Sequence, residues 1–457
     1  MKPKRSVDLT TGSILKKLLL FTLPILATNL LQQLYHTADQ VVVGQFAENG
    51  KMALAAIGST SSATNLIVNL FIGLSVGANI VCANLKGGRK TEDLYRCMHT
   101  SLLMAAFLGV FLFLLGEAFS ETLAKLMNCP EDIFDMAVLY IRIVFCGTPF
   151  SLMYNFAAGM IRAHGDTRRP MVILSISGIV NVVLNLIFVL VFHMSVAGVA
   201  LATVISQVVS CVMALRILFD SKDEYKLKFS QLKFSGSMVK TVLRVGIPCG
   251  INSCVFSLAN AVVQAAMNTF SSAAVAGGTA ATSLITLTYQ ILVAFYSGCV
   301  SFSGQCYGAG NYRRIHKLAK TGLLLAVGSM ALMAVVYTLF YVPAISIYNN
   351  DAEVIRTGKV KLLIISWSYL PYAVSQVFLG CLRGMKRSGI PTLINVICIC
   401  ALRVLWVEFA FPFHHSLVWL CLGYPVSYIS SAIVMGIYYF CVMKKVLPTQ
   451  QELPVST

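Results

Sequence analysis

In the stretch LLQQLYHTADQVVVGQF, Leu30 to Phe46, one acid stands among apolar residues. Asp39 is followed by Val41, Val42 and Val43, and Gln32, Tyr35 and His36 precede it at helical spacing. On a helix those positions share one face, and each of the three neighbours can hydrogen-bond a carboxylate or a carboxylic acid. A carboxylate withdrawn from water takes up a proton more readily, and one with oxygen-bearing neighbours holds a hard cation such as Na+. The ligand types alone do not choose between the two ions. On a straight helix Asp39 would reach the far headgroups, about 33 Å beyond Lys17 at ~1.5 Å per residue. The valines after it, and Pro24, which permits a bend and frees the Leu20 carbonyl, favour a buried place.

The elements that must position these residues are membrane spans. The chain has 457 residues, of which 57% are hydrophobic and only 12% charged, and its mean hydropathy of +0.77 lies outside the range of a soluble protein. Twelve apolar runs, the first at 14–46 and the last at 416–443, are each near or above the ~20 residues that cross a bilayer. The first run continues for some thirty residues without an A-x-A cleavage site, so it is read as a span rather than a signal peptide. The net charge of +17 could suggest nucleic acid, but the basic residues sit in alternate loops. Lys86, Arg89 and Lys90 follow span 2, Arg162, Arg168 and Arg169 follow span 4, and Arg313, Arg314 and Lys317 follow span 8. The positive-inside rule then makes both termini cytoplasmic, in a multi-pass protein of the cell membrane with no nucleic-acid partner. Fourteen cysteines are scattered without metal-ligand spacing and read as small buried residues.

The chain also repeats itself. GMIRAHGDTRRP, Gly159 to Pro170, and GCLRGMKRSGIP, Gly380 to Pro391, share G-x-x-R-x7-P at an offset of 221. ANLKGG and GQCYGA, after spans 2 and 8, match at the same offset, and Pro24 pairs with Pro248 at 224. Three matches in one order indicate duplication. Six spans per half make the repeats parallel. The expected architecture is an all-α membrane protein with two six-helix lobes around a central cleft. Its segments are an N-lobe at 1–219, a cytoplasmic linker at 220–236, a C-lobe at 237–446 and a cytoplasmic tail at 447–457.

Polar stripes suggest faces that line the cleft. Span 7 carries Ser253, Ser257, Asn260 and Gln264 along one face, and span 8 carries Thr279, Thr282, Thr286 and Gln290. The plainer reading of any single Ser or Thr is interhelical glue. Arg403 and Glu408 lie five apart in span 11 and share no tight face, so a structural role or a partner on another helix is expected. Lys359 and Lys361 are placed near an outer end.

At this point the chain resembles the multidrug and toxic compound extrusion (MATE) transporters, within them the branch named after the DNA-damage-inducible protein F. The resemblance covers essentially the whole chain. It rests on the two sets of six spans, P-x14-D-x4-G at Pro24, Asp39 and Gly44, the two G-x-x-R loops, NVVLNLIFV at Asn181 to Val189, and GVALAT at Gly198 to Thr203. It implies export of organic cations or other amphipathic compounds against inward H+ or Na+, by alternating access. It places Asp39 on the coupling aspartate, Pro24 on the bend of the first helix, and Gln32, Tyr140, Asn155, Asn181 and Thr203 on polar positions of the N-lobe cavity. Where many relatives have a second aspartate this chain has Asn185, so one carboxylate serves where two are usual. Acids that another branch places in spans 7 and 10 are absent: span 7 has Asn252, Asn260 and Gln264.

The expected function is therefore ion-driven antiport of small amphipathic or cationic compounds. The coupling ion is held by Asp39 with Asn181, Asn185 and Thr203, and the chain acts as a monomer in contact with membrane lipid, without a cofactor or a metal beyond Na+. The alternative is a flippase or exporter of a lipid-linked sugar or related amphiphile. That would require several cations in the cavity, and few candidates are basic, chiefly Arg403 and Arg142. An enzyme or receptor ranks third, since no H-E-x-x-H or G-x-S-x-G motif occurs.

Overall fold

The computed structural model describes residues 8–47, 50–127, 129–220, 226–227 and 233–447, excepting the side chains of 51, 54, 61–63 and 65. Most of the 220–236 linker and the tail beyond Leu447 lie outside the described residues. No strand occurs among the described residues. In hydrocarbon the backbone finds no water, so a spanning segment must satisfy its own N–H and C=O groups, and a helix does this within one segment.

The helices fall into two like series. The first has α1 (Ile14–Phe46, 33 residues), α2 (Gly50–Gly87, 38) and α3 (Thr91–Leu126, 36). After these come α4 (Phe134–Cys146), α5 (Thr148–Ala163), α6 (Arg168–Leu186), which runs on into a π-helical turn at Ile187–Val191, and α7 (Ser195–Asp220). The second opens with α8 (Gly236–Met267, 32 residues), α9 (Ser272–Gly308, 37) and α10 (Tyr312–Ser346, 35). It continues with α11 (Ala352–Gly384), α12 (Gly389–Asn395), α13 (Leu402–Leu405) and α14 (Leu417–Val446). Between α12 and α14 lie π-helical turns at Val396–Ala401 and Trp406–Ala410, so the fifth span of each series is wound unevenly. Among the described residues eleven helices are long and apolar enough to cross a membrane, and α4 and α5, bent by 41°, make a twelfth span if taken together.

That bend has a local cause. Pro149 lacks an N–H, so the Phe145 carbonyl loses its helical donor. The Thr148 hydroxyl donates to it instead, at 2.7 Å.

By their contacts the residues form two compact units, each built around its own helices. The first runs from Ala27 to Gly250, and the second joins Leu9–Leu26 to Ile251 and the rest of the chain. The units therefore do not part at the linker alone: α1 and α8 each contribute to both, changing over two residues past a proline, at Leu26 after Pro24 and at Gly250 after Pro248.

In the first unit, helices meet through glycines. Gly73 and Gly77 of α2 lie against Gly250 and Gly246 of α8, so small-x-x-x-small pairs face each other from both helices. Val42 and Val43 of α1 pack with Val189 beyond α6 and with Val196 and Val199 of α7, which brings the end of α1 against these two helices. The second unit has one extended core. Leu9, Leu18, Phe21 and Ile25 join residues of α9, α10, α11 and α14 in it, with Phe21 edge-on to Phe302 at 6.5 Å.

Candidate functional site

The first unit assembles the polar residues of α1, α6 and α7 into a continuous chain. Asn181 and Asn185 stand one turn apart on α6, buried to 3% and 0% exposure. The Asn185 amide Nδ2 donates to Asp39 Oδ1 on α1 and, at 3.4 Å, to Asn181 Oδ1. Asn181 Nδ2 donates in turn to Thr203 Oγ1 on α7 at 3.3 Å, and the Thr203 hydroxyl donates to the Val199 carbonyl at 3.0 Å. These are the four residues expected to hold the coupling ion, and the fold brings them into one hydrogen-bonded row. Asn185 Oδ1 is buried and has no partner among the described residues. Among the described residues no lysine or arginine pairs with Asp39. The half-buried carboxylate therefore faces a row of amide and hydroxyl groups with one oxygen left over, a donor set suited to a proton or a hard cation.

The neighbours expected on Asp39's own helix face behave differently. The Tyr35 hydroxyl donates to the Ser175 carbonyl at 3.3 Å, and its ring lies over Gly178, where any Cβ would strike it. His36 and Gln32 are exposed, and neither bonds Asp39. Tyr140 of α4 packs against the valine cluster beside Asp39, within electrostatic reach of the carboxylate. The Asn155 amide donates to the Ser151 carbonyl one turn back at 2.8 Å and stays apart from the row. Pro24 lies in the part of α1 that belongs to the second unit.

The second unit contains a cavity of about 150 Å³ bordered by α8, α9, α11 and α14. Asn260 and Gln264 of the α8 stripe line it, whereas Gln290 does not. Gln264 also donates to Asn268 at 3.1 Å. Lys361, placed near an outer end by sequence, is 4% exposed and borders this cavity. Arg403 is 1% exposed and bonds Asn260 and Ser427, while Glu408 is exposed and does not pair with it. Arg142, the other basic candidate, bonds Ser120 at 3.0 Å and Glu121 at 3.3 Å in a half-exposed surface cluster. Sequence reasoning missed the tyrosines of this cavity, among them Tyr369, Tyr424 and Tyr428. Their signal was weak, since tyrosines at scattered positions in apolar runs look like ordinary membrane aromatics.

Two like series of spans, with one polar row at the heart of the first, define a polytopic membrane transporter. The chain belongs to the MatE family, which matches residues 24–187 and 248–406; members of this family are transporters and not enzymes. Among similar proteins, the "Probable multidrug resistance protein YoeA" of Bacillus subtilis (strain 168) is 25% identical over 446 residues, 95% of each chain. The "Probable multidrug resistance protein NorM" of Thermotoga maritima is 25% identical over 88% of this chain and 86% of its own. A solved structure described as the outward-facing conformation of a multidrug resistance MATE family transporter of the MOP superfamily has a TM-score of 0.89. It is 22% identical, and the match covers 98% of this chain and 100% of that one. The twelve-helix fold is thus shared with MATE transporters.

Proposed function

We propose that this protein is a secondary active exporter of small amphipathic compounds, driven by H+ or Na+ that enters at Asp39, in the cell membrane with both termini cytoplasmic. The observation that carries this reading is the row Asp39, Asn185, Asn181, Thr203, with its one unpartnered oxygen on Asn185. A proton on Asp39 needs an acceptor, and Na+ needs oxygen ligands; Asn185 Oδ1 supplies either. The relatives named as multidrug resistance proteins support the cargo class. Neutralising Asp39 alters the charge in contact with α6 and α7, and alternating access follows if the two states of the transporter hold the ion with different affinity.

The test is dye movement into inverted membrane vesicles, with lipophilic dyes of both charges and with the pH gradient and the sodium gradient imposed separately. One gradient is expected to drive accumulation and the other not. Absence of a response to both, for dyes of either charge, would sink the proposal.

A second expectation concerns Thr203, which accepts from Asn181 and ends the row. Thr203→Ala removes one hydroxyl ligand worth about 0.5–1.5 kcal/mol. The concentration of the driving ion needed for half-maximal export should rise roughly two- to twelvefold, with the maximal rate nearly kept. An unchanged ion dependence would exclude Thr203 from the site.

A further inference from the structure

The second unit repeats the arrangement of the first with the opposite charge. Where α1 and α6 bring Asp39 to Asn185, their counterparts α8 and α13 bring Asn260 to Arg403, whose Nη1 donates to Asn260 Oδ1 at 3.0 Å. Arg403 Nε donates to Ser427 Oγ at 3.0 Å. The guanidinium carbon lies 4.3 Å from the Tyr424 ring centre and 4.7 Å from that of Tyr428. Its Nη2 is buried with no partner among the described residues. Asn260, Phe256, Tyr424 and Tyr428, which bond or face this guanidinium, also line the cavity, so Arg403 stands directly behind its wall. Lys361, on the cavity's edge, carries a second buried cation that has neither a hydrogen bond nor a salt bridge among the described residues.

Two cations so deeply buried are costly unless something negative completes the site, because desolvation is only partly offset by aromatic faces and neutral oxygens. Among the described residues that border the cavity there is no carboxylate. The walls are rich in aromatic rings: Phe256 stacks on Tyr289 at 5.8 Å, and Tyr428 is backed by Tyr372, which does not line the cavity, at 4.2 Å. A volume of about 150 Å³ accommodates one aromatic ring, since an engineered cavity of that size binds benzene. Only one end of a larger amphiphile fits.

We propose that this cavity is a binding site for the anionic end of an aromatic amphiphile, with a carboxylate or phosphate held by Lys361, the positive charge of Arg403 behind the wall favouring it, and an adjoining ring on the tyrosines. The proposal deepens the exporter reading, on which it rests only for treating the bound compound as cargo. It moves the cargo class from organic cations towards aromatic anions.

The test uses the full chain in phosphatidylcholine nanodiscs and isothermal titration with 2-naphthoate, 2-naphthyl phosphate and 2-naphthylmethylammonium, which share a ring system and differ in charge. At least one of the two anions is expected to bind tenfold or more tightly than the cation, as a charge-assisted bond to a desolvated ammonium requires. Lys361→Met should cost that anion tenfold or more and leave the cation unchanged. Equal or tighter binding of the cation, or anion binding unmoved by Lys361→Met, would overturn the proposal. If Lys361→Met does not fold, the probes on the unaltered protein decide. Exchanging phosphatidylcholine for phosphatidylglycerol separates the two sources of phosphate: unchanged naphthoate binding supports an aromatic ligand, and displacement assigns the site to a lipid headgroup instead. Asp39→Asn is expected to keep naphthoate binding while losing ion-driven export, so failure of the coupling reading and failure of this one give different results.

Discussion

Asp39→Asn is expected to reduce ion-driven export at least about 100-fold while leaving the protein folded. The exchange keeps the size of the side chain, and the amide oxygen of the new residue can still accept from Asn185 Nδ2, so the row through Asn181 to Thr203 keeps its donors and acceptors. What is lost is the one negative charge in the row. An uncompensated cation in a buried site costs roughly 3–5 kcal/mol, and each 1.4 kcal/mol is a factor of ten. The measurement is the initial rate of dye export in vesicles under the driving gradient, with thermal denaturation of the purified variant as the check on folding. The double variant Asp39→Asn with Asn185→Asp moves the carboxylate across a single hydrogen bond and should recover part of the rate. Full activity in the single variant would mean that the charge sits in the row for another reason.

The second large effect concerns packing. Gly77→Leu should destabilise the first unit by about 3 kcal/mol or more and leave little folded protein. A Cβ at Gly77 would stand 2.6 Å from Gly246 Cα and 2.7 Å from both Gly246 N and Val242 O. Each of these is backbone, which cannot swing aside as a side chain would, so α2 and α8 would have to separate along the whole glycine seam. Gly58→Leu is the control in the same helix, because a Cβ there meets none of the described atoms within 4 Å. Folded yield from size-exclusion chromatography and the melting temperature distinguish the two. Equal behaviour would show that the close approach of α2 and α8 is not what holds these helices together.

The spans were legible because apolar runs of this length have one stable form in hydrocarbon. The duplication was legible because Gly159, Arg162 and Pro170 recur as Gly380, Arg383 and Pro391. The acid at Asp39 stood out because a lone charge in an apolar helix is rare, whereas Asn181, Asn185 and Thr203 were reached only through the resemblance to MATE transporters. The partners of these groups were harder to read. Tyr35 shares a helix face with Asp39, yet its hydroxyl goes to Ser175, 140 positions on, because Gly178 leaves room for the ring beside α6. Lys361 looked like an interfacial lysine and is buried at the edge of a cavity.

By itself, then, the sequence determined the helices, their count and order, and which residues share a face of each one, since these depend on composition and on the 3.6-residue period. Only the tertiary structure decided what each face meets: Arg403 with Asn260, 143 positions away, Asp39 with Asn185, 146 away, and the passage of α1 and α8 from one unit's contacts to the other's. The reason is physical. Between helices in a membrane the hydrophobic effect provides little guidance, and the match of glycine seams, ring stacks and buried polar groups selects the neighbour, which no period within a single helix records.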